Sequence, residues 1–192
     1  MRQATKKYLF FSINMDGMNK LIVHFFRACA LSLFLLISSA GVAVSAPSAP
    51  VFSSVSLDGK QVASSQLVGK AYIVNFFASW CPPCRAEIPD MVALQRKYGA
   101  RGFTFIGVAV NETLPSMRQF IVKNKINYPV VMVDEKLISA FNTLVDGGVS
   151  AIPTSFVINS SGKVTQVITG ARSKEVFEKI ISELLPQPVV SK

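Results

Sequence analysis

Histidine and cysteine are both scarce in this chain: one histidine, His24, and three cysteines in 192 residues. His24 and Cys29 both fall within the first 46 residues, so Cys81 and Cys84 are the only soft ligands after them. A structural zinc site needs four ligands, usually Cys or His, and the remainder of the chain cannot supply them. Acidic residues are also few, 11 against 20 Lys and Arg, for a formal charge of +9. Part of that excess belongs to the N-terminus, where Arg2, Lys6, Lys7, Lys20 and Arg27 face only Asp16. The remaining +5 is scattered, with no basic run interleaved with aromatics, which describes a solvated surface and argues against nucleic-acid binding. Repeats and low-complexity tracts are absent. With half its residues apolar, a chain of this length has the core of one domain plus a leader.

From Ala28 to Ala46 the chain carries no charge, and the stretch follows Lys20 and Arg27 directly. This is the pattern of a secretory signal, in residues 1–46, or of an N-terminal membrane anchor. Initiation at Met15 or Met18 would give a leader of ordinary length, and Ala40 or Ala43 suit cleavage better than Ala46, which Pro47 follows. A bilayer span needs about 20 apolar residues, and the stretch nearly reaches that, although Ser38, Ser39, Gly41 and Ser45 weaken its second half. Either outcome exports the rest of the chain, to the periplasm or another extracytoplasmic space, where thiols meet oxidising conditions.

In that setting the informative segment is Trp80-Cys81-Pro82-Pro83-Cys84. Two cysteines separated by two residues, in the first turn of a helix, bring their sulfurs together and can alternate between dithiol and disulfide without refolding. Cys81, where the helix begins, faces the positive end of the helix dipole and is the expected attacking sulfur; Cys84, one turn in, resolves. Pro82 and Pro83 lack N–H groups, so they withdraw two donors from the Cys81 thiolate. A less stabilised thiolate makes a more reducing couple, which points to a disulfide reductant.

The surrounding pattern is α/β. After a linker at 47–50, Val51 to Leu57 and Gln61-Val62, joined through Asp58-Gly59, read as a small hairpin covering a sheet edge. Ala71 to Ala78 is almost wholly apolar, as in a strand covered on both faces. A helix is predicted from Cys81 to Tyr98, kinked at Pro89, then a strand from Phe103 to Val110. A helix over Leu114 to Lys125, a strand over Val130 to Val133 and a helix over Lys136 to Val145 follow. Strands over Ser155 to Ile158 and Val164 to Thr169 lead to a final helix from Lys174 to Leu185 with Ser173 as N-cap, and residues 186–192 form a tail.

Five separated motifs agree with one family in order and spacing: Leu57-Asp58-Gly59-Lys60, Val74-Asn75-Phe76-Phe77-Ala78-Ser79-Trp80-Cys81-Pro82-Pro83-Cys84-Arg85, Glu87-Ile88-Pro89, Ile152-Pro153-Thr154-Ser155-Phe156-Val157-Ile158-Asn159 and Gly162-Lys163-Val164. Through them residues 51–185 resemble the TlpA/ResA-like exported thiol-disulfide oxidoreductases of the thioredoxin superfamily. The resemblance implies a thioredoxin fold, with a central mixed sheet flanked by helices and an N-terminal β-hairpin extension, and no bound cofactor or metal. It implies that the Ile152-Pro153 bond is cis, lies against the redox pair and presents the Ile152 backbone to an extended client. Thioredoxin has an aspartate where this chain has Asn75, so another group must help to deprotonate Cys84. Glu87, one turn after Cys84, and Glu112 are the candidates, the alternative being plain solvated carboxylates. Trp80 is expected either beside the sulfurs, shielding them, or in the core. The segment from Asn142 to Val149 looks longer than in relatives and is placed near the groove beside Pro153.

The family suggests clients such as apocytochromes or copper-site cysteines, a membrane electron donor for re-reduction, and a monomer. Two other functions compete. An oxidant for protein folding is opposed by Pro82-Pro83. A copper metallochaperone on the same fold typically uses a Cys-x-x-x-Cys with a distal histidine, although Cu(I) can be held by two thiolates alone. A peroxidase of the peroxiredoxin type wants Thr or Ser three residues before its reactive cysteine, where Ala78 stands.

Overall fold

The computed structural model describes residues 45–186. Residues 1–44 of the leader, with its alternative starts, and the end of the tail lie outside the described residues. A short hairpin, β1 (Ser53–Val55) and β2 (Gln61–Ala63), precedes β3 (Ala71–Phe77), α1 (Pro82–Tyr98) and β4 (Phe103–Ala109). Next come α2 (Leu114–Lys123), β5 (Val130–Met132), α3 (Glu135–Asn142), β6 (Thr154–Ile158), β7 (Val164–Thr169) and α4 (Lys174–Leu184). The main sheet has the order β5-β4-β3-β6-β7, with β3, β4 and β5 parallel and β6 antiparallel to both of its neighbours, β3 and β7. This is the thioredoxin-like mixed sheet with its additional N-terminal hairpin.

Every residue of β3 is buried, as its unbroken apolar run requires. Its alternating side chains feed two cores. Ile73 and Phe77 pack with Ile88, Met91 and Leu94 of α1, Met117 of α2 and Phe177 and Ile181 of α4. Tyr72, Val74 and Phe76 pack on the opposite face with Leu137 and Phe141 of α3 and Phe52 and Val62 of the hairpin. In α1 the buried positions Cys84, Glu87, Ile88, Met91, Leu94 and Tyr98 recur at helical spacing and include a single carboxyl. The helix is continuous through Pro89, whose missing N–H removes the rung that would reach Arg85.

The hairpin is fastened to the β5 edge. Leu57 N–H donates to the Val130 carbonyl at 2.8 Å, Ser56 bridges to Val131, and Arg118 Nη1 of α2 donates to the Leu57 carbonyl at 2.6 Å. Its turn is locked by Asp58, which accepts from Ser56 and pairs with Lys60 at 2.9 Å; the Ser56 hydroxyl, before the lysine, lowers the Asp58 carboxyl to about 2. The stretch read as a linker lies along the other side of the sheet. Ala49 N–H donates to the Gly162 carbonyl at 2.9 Å, and Val164 N–H donates to the Pro47 carbonyl at 2.8 Å.

Two helices are shorter than their apolar spacing suggests. α2 stops at Lys123, and α3 begins on the Asp134 cap and stops at Asn142, three residues before Val145. Asn142 Oδ1 accepts from Val149 N–H at 2.8 Å, closing the 142–149 segment into a loop that reverses through Gly147 and Gly148, both at positive φ. At the last helix Ser173 occupies the N-cap position, but its hydroxyl makes no capping bond to the backbone.

Gly107 of β4 lies opposite Asn75 of β3, and a Cβ there would stand 2.8 Å from the Phe77 ring and 3.2 Å from the Val130 side chain. Gly107→Ala is therefore expected to destabilise the protein by about 1–3 kcal/mol through overpacking, read as a lower urea midpoint at unchanged slope.

Candidate functional site

The C-terminal ends of β3 and β4 and the loop before β6 converge on the cysteines. Cys81 is the N-cap of α1, in extended conformation, with Pro82 and Pro83 as the first two helical residues. Those are positions where a backbone N–H has no intrahelical partner, so the prolines fit the fold at no hydrogen-bonding cost. The next N–H, that of Cys84, donates to Cys81 Sγ at 3.3 Å. Cys81 and Cys84 form a disulfide, with Cα atoms 5.3 Å apart. Cys84 is fully buried and Cys81 4 % exposed.

The Ile152–Pro153 bond is cis, and the Ile152 carbonyl oxygen lies 3.8 Å from Cys81 Sγ. The Pro153 carbonyl accepts from Gly170 N–H at 2.8 Å, which ties this loop to the β7–α4 turn.

Glu87 is 2 % exposed, below the redox pair on α1. Its Oε1 accepts from Asn75 Nδ2 at 3.0 Å and its Oε2 from Arg172 N–H at 3.3 Å. Burial raises the carboxyl from 4.5 to about 7, and these two donors and the Arg172 charge offset only part of that rise. Burial, and secondarily the Glu87 charge, also raises Tyr128, which therefore stays protonated. The structure thus gives one of the two acidic candidates a burial and proton affinity unlike a solvated carboxylate.

Glu112 is elsewhere and differently engaged. Its carboxylate accepts the Ser79 N–H, while the Trp80 indole N–H donates to the Asn111 carbonyl at 3.2 Å. Together these bonds pin the loop before α1 to the loop before α2, with Asn111 held at φ +52°. Trp80 is 56 % exposed, so it is not a core aromatic. It walls a cleft of about 500 Å³ with Val110, Ile138, Val149 and Ile152, and Asp134 and Glu135 stand at the same cleft. The end of the 142–149 loop therefore does reach the groove beside Pro153.

Sequence reasoning did not identify Ser155 as part of the site. It stands directly across from Asn75 in the β3–β6 register, and its Oγ accepts from Asn75 Nδ2 at 2.9 Å. The available signal was Asn75, an amide in the apolar run of β3, and the polar Thr154-Ser155 start of β6. Among the described residues no group of three His, Cys, Asp or Glu side chains is placed to hold a metal ion.

A mixed sheet carrying a Cys-x-x-Cys disulfide at a helix N-terminus, with a cis proline against it, defines a thioredoxin-like thiol-disulfide oxidoreductase. Residues 44–184 match the Redoxin family model, and the chain belongs to that family. It is similar to the thiol-disulfide oxidoreductase ResA of Bacillus thuringiensis (strain Al Hakam), 33% identical over 139 residues that cover 72% of this chain and 77% of the relative. ResA of Bacillus subtilis (strain 168) is 31% identical over 139 residues, covering 72% and 74%. Among solved structures, a thiol:disulfide interchange protein of the thioredoxin family from Chlorobium tepidum TLS is 53% identical, with a TM-score of 0.73, and the match covers 76% of this chain and all of that one.

Proposed function

We propose that this oxidoreductase works outside the cytoplasmic membrane as a reductant of client disulfides, such as those of apocytochrome c or of copper-site cysteines, and is itself re-reduced by a membrane donor. The observation that carries the direction is the first turn of α1. With Pro82 and Pro83 in place, only the Cys84 N–H is left to approach Cys81 Sγ, so a Cys81 thiolate is poorly stabilised and the dithiol gives up electrons readily. The charged and apolar pattern of residues 1–46 supports export, and the names of the ResA relatives support the chemistry.

In the reaction, the Cys81 thiolate attacks one sulfur of the client disulfide. A Cys81–client mixed disulfide forms, and the other client sulfur leaves as a thiolate. The Cys84 thiolate then attacks Cys81 Sγ, forming the Cys81–Cys84 disulfide and releasing the second client thiolate. Two electrons pass to the client. Glu87, one turn beyond Cys84, accepts the Cys84 thiol proton, which requires that Glu87 be ionised when resolution begins. Trp80, Ile152 and Pro153 receive the client: the Ile152 backbone pairs with an extended segment, and the cleft beside Trp80 takes an adjoining side chain. Glu112 acts through the Ser79 N–H, as a brace for the loop that carries Cys81.

The reduction potential tests the direction of electron flow. Equilibration with dithiothreitol or glutathione buffers, followed by alkylation of free thiols, is expected to give a value near or below about −270 mV; a value near about −120 mV would assign an oxidant instead. The pH dependence of client reduction tests the base. The rate component that rises through about pH 7 is expected to vanish in Glu87→Gln and to persist in Glu112→Gln, and an unchanged profile in Glu87→Gln would remove Glu87 from the mechanism.

A further inference from the structure

Asn75 makes side-chain bonds to only two groups, and both receive its hydrogens. One goes to Glu87 Oε1 at 3.0 Å and the other to Ser155 Oγ at 2.9 Å. Its own oxygen, Oδ1, is the one buried side-chain nitrogen or oxygen among the described residues that has no hydrogen-bond partner. Buried amide oxygens are ordinarily paired. This one goes without because the opposite orientation would set Oδ1 against an ionised carboxylate, acceptor against acceptor.

A proton on Glu87 Oε1, the oxygen that does not face the fixed Arg172 N–H, reverses that preference. With the amide turned over, the Glu87 O–H and the Ser155 O–H can both donate to Oδ1, and the bare group becomes Nδ2. Ser155 suits both arrangements because a hydroxyl donates or accepts as required. An aspartate at position 75 could not do this, and neither could a serine replaced by an apolar residue.

We propose that Asn75, anchored by Ser155, turns over with the proton on Glu87, so that this buried carboxyl keeps a hydrogen-bonded partner in both of its forms. The inference rests on the reading of Glu87 as the acid/base group, and it makes Asn75 and Ser155 positioning residues for that group. The frame is also joined to the client-binding loop. Ser155 lies two residues after Pro153, and the turn whose Gly170 N–H holds the Pro153 carbonyl supplies, two residues later, the Arg172 N–H that holds Glu87 Oε2. The titratable or charged groups facing Glu87 are Cys84 of its own helix, Tyr128 from the loop before β5, and Arg172 from the β7–α4 turn. From the sheet, Asn75 is bonded to Glu87 and Ser155 to Asn75, and neither titrates.

The test follows the Asn75 side-chain amide by NMR, in the full oxidised chain in detergent micelles, from pH 5 to pH 9, alongside the Glu87 carboxyl carbon. The Asn75 amide hydrogens are expected to shift with the same midpoint as that carbon, to lose their NOE contacts to the Ser155 side chain below it, and to become independent of pH in Glu87→Gln. Ser155→Ala is expected to slow client reduction at pH 7 about fivefold, the worth of one hydrogen bond, and to blur the Asn75 titration, with Ser155→Thr restoring both. An Asn75 amide that stays fixed while Glu87 titrates overturns the proposal, even if Glu87→Gln flattens the rate profile and so upholds the acid/base reading. An amide whose hydrogens lose their NOE contacts to the Ser155 side chain as Glu87 takes up its proton upholds the turnover, even if Glu87→Gln leaves the rate profile unmoved and the acid/base reading falls, whereas a shift with those contacts retained overturns it. The wild-type spectrum alone decides the central point, so the test survives if a variant fails to fold.

Discussion

Raising the pH from about 4.5 to 8 is expected to lower the unfolding free energy of the oxidised protein by roughly 3 kcal/mol through Glu87 alone. The folded state raises this carboxyl from 4.5 to about 7, with burial as the main cause. Between those values the native state holds a proton that the unfolded chain has lost, so stability falls as pH increases. The contribution is fully present below the unfolded value and is gone once pH has risen through about 7. At about 1.4 kcal/mol per tenfold change in proton affinity, the displacement gives the figure stated. Glu87→Gln should flatten the difference, and above pH 7 the variant should match or exceed the wild type in stability despite losing a charge-assisted bond from Arg172 N–H. Asp58, the other carboxyl with a large displacement, titrates near 2 and so stays outside this window. Urea unfolding of both proteins at a series of pH values measures the effect. Parallel curves would mean that water reaches Glu87 and that it is an ordinary carboxylate.

Phe141→Ala should cost about 3–5 kcal/mol. Phe141 is fully buried, and its ring centroid lies 5.4 Å from Phe76 of β3, 4.8 Å from Phe156 of β6 and 6.2 Å from Phe52 beside the hairpin. Truncation removes these edge and tilted contacts together with the apolar burial and leaves a cavity between the sheet and α3. Because Asn142 follows directly and holds the 142–149 loop through Val149 N–H, the loss should spread to one wall of the cleft beside Trp80. A lowered denaturant midpoint at unchanged slope should therefore be accompanied by weaker client binding. Phe141→Leu, which keeps most of the volume, should cost under about 1.5 kcal/mol. A Phe141→Leu cost as large as that of Phe141→Ala would show that the position requires the aromatic ring itself and not merely buried volume.

How much of this was legible in the sequence depended on whether the determining contact was local. The run Ala71 to Ala78 declared a doubly covered strand because burial on both faces leaves no place for alternation, and β3 is central in the sheet. Cys81, the two prolines and Cys84 fixed their own geometry within one helical turn. What the sequence left open was decided mainly by contacts beyond one helical turn. Trp80 reads as core or shield from its neighbours alone, yet its indole N–H is engaged by Asn111, 31 residues away, and most of the ring lies open. Glu112 reads as a candidate base because it is acidic and near the site, but its bond to the Ser79 N–H, 33 residues away, could not be read from the chain. Ser155 is 80 residues from Asn75, and only the strand register places them side by side. The apolar spacing of α3 continues to Val145, but the side chain of Asn142 closes the loop before the helix can use it.

The first described residues hold a part of each outer strand of the main sheet, Ser56 and Leu57 at β5 and Pro47 to Ala49 at the start of β7. An outer strand with its N–H and C=O groups free is a template on which another polypeptide can pair, and such pairing does not discriminate by sequence. An enzyme proposed to hold partly folded, cysteine-bearing chains against itself meets that hazard at every turnover. By laying its own N-terminal segment over both margins, this protein narrows the places where a visiting chain can add as a strand, and so favours brief encounters at the sulfurs over lasting aggregation along the sheet.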